Sequence, residues 1–158
     1  SINLADTFAF TGTVTGAGGV NTPFFHAYMG ANQTISNTTR TILQFNTERW
    51  DTASGFDTGT YSYTIPSGQG GYWIMYLRGR FTLNNTFRMS ASFRVNNTDI
   101  EFGNSQHQST ETGFQLFSQM NLSAGDVIKT TIYQDRGGNE IVEGGATLSE
   151  FSGFKLIQ

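Results

Sequence analysis

Cysteine is absent from this 158-residue chain. That removes disulfides and thiolate chemistry, and it suits either side of a membrane. A small extracellular domain without disulfides needs another source of robustness, and oligomerisation is one. Histidine is scarce, with only His26 and His107. No HExxH pattern occurs, so a zinc site has neither thiolates nor a histidine pair to build on. Proline is limited to two residues, and charged residues make up 13%, well below the usual quarter. The net charge of −3 comes without a basic stripe, which argues against nucleic acid as a partner. No apolar run approaches the length of a membrane span. The chain starts at Ser1 without a visible signal segment, as an excised fragment would.

What is present is aromatic and turn-forming. Phenylalanine contributes 14 residues, tyrosine six, tryptophan two and glycine 19. That aromatic content argues against disorder despite the low charge. Asn, Thr and Ser take the place of charged side chains, a composition that fits an all-β domain with Asn/Gly/Ser turns and a Thr-rich surface.

The stretch Tyr61–Phe81 organises the reading. Tyr61, Tyr63 and Ile65 half-alternate up to Pro66, a turn follows over Ser67–Gly71, and a β-forming run extends from Tyr72 to Arg80. Along that run Tyr72, Ile74 and Tyr76 share one face, and Trp73, Met75 and Leu77 the other. Both rows are apolar, whereas an antiparallel strand in a monomer normally has one wet face. One row therefore meets the core and the other is covered as well, for example by a partner chain.

Elsewhere, strands are expected at Phe24–Met29, Thr39–Asn46 (with Ile42 and Phe45 as buried anchors), Thr86–Val95, Thr98–Phe102, Thr112–Leu122, Val127–Gln134 and Phe151–Ile157. A short strand is possible at Thr7–Val14. Gly30–Asn37 and Gly103–Ser109 read as polar loops, and Glu48–Gly59 as a long connection. In Thr86–Val95 the row Phe87, Met89, Ala91, Phe93, Val95 opposes Arg88, Ser90, Ser92, Arg94, the pattern of a half-buried outer strand. Eight to ten strands without a helix-period stretch indicate a sandwich or barrel.

Spaced blocks then resemble the C1q-like branch of the C1q/tumour-necrosis-factor superfamily. They are Phe25–Tyr28, Ile42–Phe45 with Trp50-Asp51, Phe56-Asp57-Thr58-Gly59 into Tyr63, Ile65-Pro66 and Gly71-Tyr72, Arg94-Val95-Asn96-Asn97, Leu122 with Gly125-Asp126 and Ile128, and Phe151-Ser152-Gly153-Phe154-Lys155-Leu156. Departures are Ile74 where the family has an aromatic, Asn97 in place of a turn glycine, and Lys155 in the closing strand. The resemblance covers about Pro23–Gln158, leaving 1–22 as a Gly-rich N-terminal arm or extra strand. It implies a ten-stranded antiparallel jelly-roll sandwich that forms a tight homotrimer. It also implies that the central, Thr112–Leu122 and closing strands lie near the threefold axis. On that basis Trp73, Met75 and Leu77 are assigned to the trimer seam, together with Phe114, Leu116 and Phe151, for which core packing is the alternative.

Catalysis needs convergent, tuned groups, and none is legible. GxSxG is absent, and Gly68-Gln69-Gly70-Gly71 lacks the lysine and helix of a phosphate loop. His26 reads as core or interface, and His107 as exposed surface. Asp99 and Glu101 share a strand face, which is more often solvated than catalytic. Asp57 and Asp126 read as turn-formers. No enzyme and no cofactor is expected. Calcium remains open because some family members bind it near the top of the trimer, although no dense oxygen-ligand loop is legible here. Sequons start at Asn32, Asn37, Asn84, Asn96 and Asn121. They would be glycan acceptors in a eukaryotic secreted protein, although an Asn/Thr-rich chain also generates them by composition.

Two functions fit. One is a homotrimeric, extracellular or surface-displayed head, on a cell or virion, that binds a glycan or protein ligand through outer loops. The candidate loop residues are Asn32, Gln33, Asn37, Asn84, Asn85, Asn104, Gln106, His107 and Gln108. The other is a structural trimerising cap or knob on a fibre, capsid or appendage, with no specific ligand.

Overall fold

The computed structural model describes residues 23–82, 87–107 and 111–156. The expected N-terminal arm, with its short strand at Thr7–Val14, lies outside the described residues, as do Asn84, Asn85 and Gln108. Thirteen strands are described: β1 (Phe24–Tyr28), β2 (Gln33–Ile35), β3 (Thr41–Ile42), β4 (Thr47–Asp51), β5 (Phe56–Asp57), β6 (Ser62–Thr64), β7 (Gly71–Thr82), β8 (Phe87–Val95), β9 (Thr98–His107), β10 (Glu111–Leu122), β11 (Val127–Gln134), β12 (Glu140–Val142) and β13 (Glu150–Lys155).

They form two antiparallel sheets. In the first, β7 is the central strand. It pairs with β10 along its whole length on one side and with β13 and then β12 on the other. The sheet continues through β1 to β4, and β2 adds beside β12. The second runs β5-β6-β11-β8-β9, with β3 on β11. The chain crosses between sheets after β2, β3, β4, β6, β7, β9, β10 and β11, as expected of a jelly-roll sandwich.

Aromatic rings fill the space between the sheets. Phe25 of β1 stacks on Tyr63 of β6 at 4.0 Å, and Phe151 meets Phe25 edge-on at 4.9 Å. Trp73 leans against Tyr63 at 5.5 Å, and its indole N–H donates to Gln69 O at 3.0 Å. A buried indole keeps its place when that donor is satisfied.

Turn chemistry sets the hairpin joining β8 to β9. Asn96 and Asn97 have φ of 48° and 70°, the left-handed pair of a tight hairpin that asparagine tolerates. Asn97 therefore does the work of the missing glycine. The Asn96 side chain ties this turn to the next loop, donating to Asp126 Oδ1 at 2.7 Å and accepting from Val127 N at 3.0 Å. Asp57 accepts from Gly59 N at 2.8 Å, the turn role expected of it. Asp126 also accepts from Ser123 N at 2.8 Å.

Four sequence expectations are corrected. The expected loop Gly30–Asn37 contains β2, and the connection Glu48–Gly59 contains β4 and β5. β9 extends to His107 through the expected loop Gly103–Ser109, held in register by β8. In Thr39–Asn46 only β3 joins the ladder, and the buried anchors are Leu43 and Phe45 while Ile42 is half-buried. The short and edge strands make few contacts through alternating side chains, so they left no alternation to read.

Candidate functional site

The first sheet has a core face and an outer face, and alternation along β7 sorts its side chains. Trp73, Met75, Leu77 and Phe81 are fully buried against the second sheet. Their cross-strand partners on β10 point the same way: Leu116 faces Leu77, and Met120 faces Trp73. Phe114 and Phe151 are buried in the same core, and Leu116 packs at its edge. Of the six residues assigned to a subunit seam, five are thus buried in the core of the single chain and Leu116 packs against it. Both rows of β7 are apolar, so composition did not show which one turned inward.

The row left outside is the other one. Tyr72 is exposed, and Ile74 and Tyr76 are half-buried. Register extends this face across five strands. Phe117 of β10 stands opposite Tyr76, Tyr76 opposite Ser152 of β13, Ser152 opposite His26 of β1, and His26 opposite Trp50 of β4. Beside that row, Ile74, Phe154 and Phe24 form a second line. Phe117 is 65% exposed, Trp50 48% and Phe154 37%. At the β1–β4 end, Phe24, His26, Trp50, Ser152 and Phe154 surround a groove of about 530 Å³. Phe117 is an aromatic in a row otherwise made of Gln115, Gln119 and Asn121, and that out-of-phase residue is the sequence signal that would have found this face.

A charged group sits at the margin. His26 Nε2 lies 3.1 Å from Glu150 Oε2, and Arg78 Nε lies 3.0 Å from Glu150 Oε1. The His26 ring meets Trp50 edge-on at 5.0 Å. Burial holds the His26 imidazole below its ordinary pKa. Glu150 opposes that shift, while Arg49 and Arg78 reinforce it.

The candidate loop residues are scattered. Asn32 is exposed, and its Oδ1 accepts from Gly144 N at 2.9 Å. Gln33 is buried rather than displayed. It donates to Ile42 O at 2.8 Å and accepts from Gln44 N at 2.9 Å, pinning β2 to the β3 segment. Asn37 Oδ1 accepts from Gly137 N at 2.7 Å. Asn104, Gln106 and His107 lie in strand β9, not in a loop. Nothing in the described structure brings these residues together as one site.

Among the described residues no group of three or more His, Asp or Glu is placed to hold a metal ion, and the chain has no cysteine. Among the described residues no helix is long and apolar enough to cross a membrane.

Two antiparallel sheets joined by repeated crossings, around one aromatic core, define a jelly-roll β-sandwich. Its particular form is the C1q/TNF-like fold. No protein-family model matches the chain, and no curated protein matches it. Solved structures do. Murine APRIL superimposes with a TM-score of 0.63 at 12% identity, over 85% of this chain and 98% of that one. Eiger TNF from S. frugiperda gives 0.59 at 15% identity, over 87% and 95%. The globular domain of zebrafish complement 1qA gives 0.56 at 13% identity, over 87% and 99%. At such identities the likeness establishes the fold alone.

Proposed function

We propose that residues 23–158 are the head of a homotrimer, displayed outside the cell or on a cell or virion surface, that recognises a glycan or protein partner. The carrying observation is the aromatic-rich row Phe117–Tyr76–Ser152–His26–Trp50, flanked by Ile74, Phe154 and Phe24, across the outer face of the first sheet. Contiguous apolar surface of this kind marks an interaction site. Phe117 projects from the β10 end, and the groove beneath Trp50 and Phe154 opens at the other. A contact between these unlike ends is heterologous, and such contacts form a ring where the rotation closes and a filament where it does not. A three-membered ring is the closure that the C1q/TNF-like fold suggests. Three equal copies of a weak ligand site then gain avidity.

The test is solution mass by light scattering at low micromolar concentration, on the wild type and on Phe117→Asp. The wild type is expected near three times 17.4 kDa. Each buried phenylalanine contributes about 1.5–3 kcal/mol, and a carboxylate in an apolar seam adds a desolvation cost. The variant is therefore expected as a folded chain of 17.4 kDa. A wild type that stays monomeric overturns the reading. Repeating the measurement with a calcium chelator decides whether calcium supports the assembly.

One observation favours the structural reading, a trimerising cap without a ligand. Asn32, Gln33 and Asn37 spend polar atoms on bonds within the chain. A cap would trimerise a fused monomer and give no signal on a glycan array or on cells.

A further inference from the structure

The outer face of the second sheet carries a polar construction that neither reading above uses. Arg40, on the segment before β3, lies flat across β8 and β11. Its Nη1 donates to Ser90 O, Ser92 Oγ and Thr131 Oγ1, each at 3.2 Å, and its Nη2 donates to Ser90 Oγ at 3.2 Å. Its Nε stands 3.5 Å from Asp99. The Arg40 charge is thus fixed in place with side-chain exposure of only 23%. Arg88 approaches from the end of β8, with side-chain exposure of 58%. Asp135 holds its Nε at 3.1 Å, and its Nη2 donates to Tyr133 Oη at 3.4 Å. The Tyr133 ring stands between the two guanidiniums, 5.9 Å from Arg40 Cζ and 5.4 Å from Arg88 Cζ.

Arg40, Arg88, Ser90 and Tyr133 line one open cleft of about 370 Å³. Its lining offers donors and positive charge. Tyr133 Oη accepts from Arg88, which leaves the phenol hydrogen to donate outward. Ser90 Oγ accepts from Arg40, which leaves its hydroxyl hydrogen to donate as well. The carboxylates Asp99 and Asp135 stand behind the guanidiniums, at their Nε edges, and neither lines the cleft. They orient the arginines without filling the site. Lys129 on the same sheet adds to the positive field, while Arg94 is paired with Asp99.

We infer that this cleft binds an acidic sugar, through a carboxylate or sulfate group held by Arg88, Tyr133 and Ser90 over the fixed charge of Arg40. Charge-assisted bonds from arginine suit these anions. The cleft is small, and among the described residues its lining is two guanidiniums and two hydroxyls with no apolar side chain besides the Tyr133 ring, which favours a sugar over an acidic peptide. The site is complete within one chain and does not depend on the assembly proposed above.

The test is a set of titrations followed by nuclear magnetic resonance on isotopically labelled full chain. The probes are glucuronic acid, glucose, sodium sulfate and a hexaglutamate peptide, at constant ionic strength. Glucuronic acid is expected to bind at least tenfold more tightly than glucose and to shift signals of Ser90 and Tyr133. Arg88→Gln is expected to weaken it about tenfold, the loss of one charge-assisted bond. Arg49→Gln, on the other sheet, is expected to change nothing. Arg88 is largely exposed, so the variant folds, and an unchanged amide spectrum checks that. Equal affinity for glucose, an unaffected Arg88→Gln variant, or tighter binding of hexaglutamate overturns the proposal. Sulfate binding as tightly as glucuronic acid overturns it too, because the sugar then contributes nothing.

Discussion

At Gly153 a β-carbon would stand 2.5 Å from Met75 Sδ, 2.8 Å from Phe25 Cε1 and 3.1 Å from Ile74 O. The glycine of the closing-strand block is there because β13 passes directly under a ring and a thioether, not because of a special backbone angle. Gly153→Ala therefore overpacks the core. The expected cost is about 1–3 kcal/mol, read as a lower midpoint in urea denaturation. A midpoint equal to wild type would mean that Met75 yields without strain. Tyr63 illustrates a different constraint nearby. It stacks on Phe25, and burial raises its phenol pKa well above the ordinary value, with Asp51 adding to the effect. The same packing that makes the core also sets the outer face, since Ser152 and Phe154 on either side of Gly153 both point to it.

Between elements, the second sheet is stitched on its outside by charge. Arg94 donates to Asp99 through Nε at 2.7 Å and Nη2 at 3.1 Å, and Arg40 stands on the other side of that carboxyl. Arg94, more than any other group, holds the Asp99 carboxyl below its ordinary pKa, and Arg40 assists. A carboxylate with a depressed folded-state pKa adds stability above its unfolded value, and that stability is lost as pH falls through the folded one. Asp99→Asn is therefore expected to cost about 2 kcal/mol at neutral pH and to lose less than wild type on acidification below about pH 4. Urea denaturation at pH 7 and pH 3 measures both. A parallel loss in the two proteins would remove Asp99 from the account. These stitches were not legible in the sequence: Arg88, Ser90, Ser92 and Arg94 alternate like a solvated face, yet Arg40 covers Ser92 fully and leaves Ser90 open only at the floor of the cleft. The strands β1, β7, β8, β10, β11 and β13 were legible from apolar β-forming runs, because each presents side chains to the core. β2, β4, β5 and β12 are short or lie on an edge, and their backbone ladders carry no residue pattern. The inward row of β7 could have been found from β10, where Phe114, Leu116 and Met120 mark the core side and cross-strand partners point alike.

On the scale of the whole molecule, the proposed seam contains one imidazole, the side chain whose ordinary pKa lies closest to physiological pH. His26 sits next to the β4 end of the outer row, 8% exposed, with Trp50, Glu150 and Arg78 around it and Arg49 close by. Its pKa is lowered from 6.5, burial being the largest cause. The folded chain thus favours the neutral ring, and stability declines as pH falls below the unfolded value. A neighbouring subunit laid over Trp50 and the groove removes more water from His26 and deepens that preference. Proton uptake then opposes assembly. Glu150 works the other way, but a single carboxylate shared with Arg78 does not offset the burial. The expected outcome is a trimer at pH 7.5 that loses mass toward the single chain by pH 5.5 at low micromolar concentration. His26→Gln, which keeps a polar group of similar reach and cannot take up a proton, is expected to hold its mass across the same range. Sedimentation velocity at the two pH values decides it. Wild-type trimers that persist or tighten at pH 5.5 would show that the Glu150 pairing outweighs desolvation at this seam.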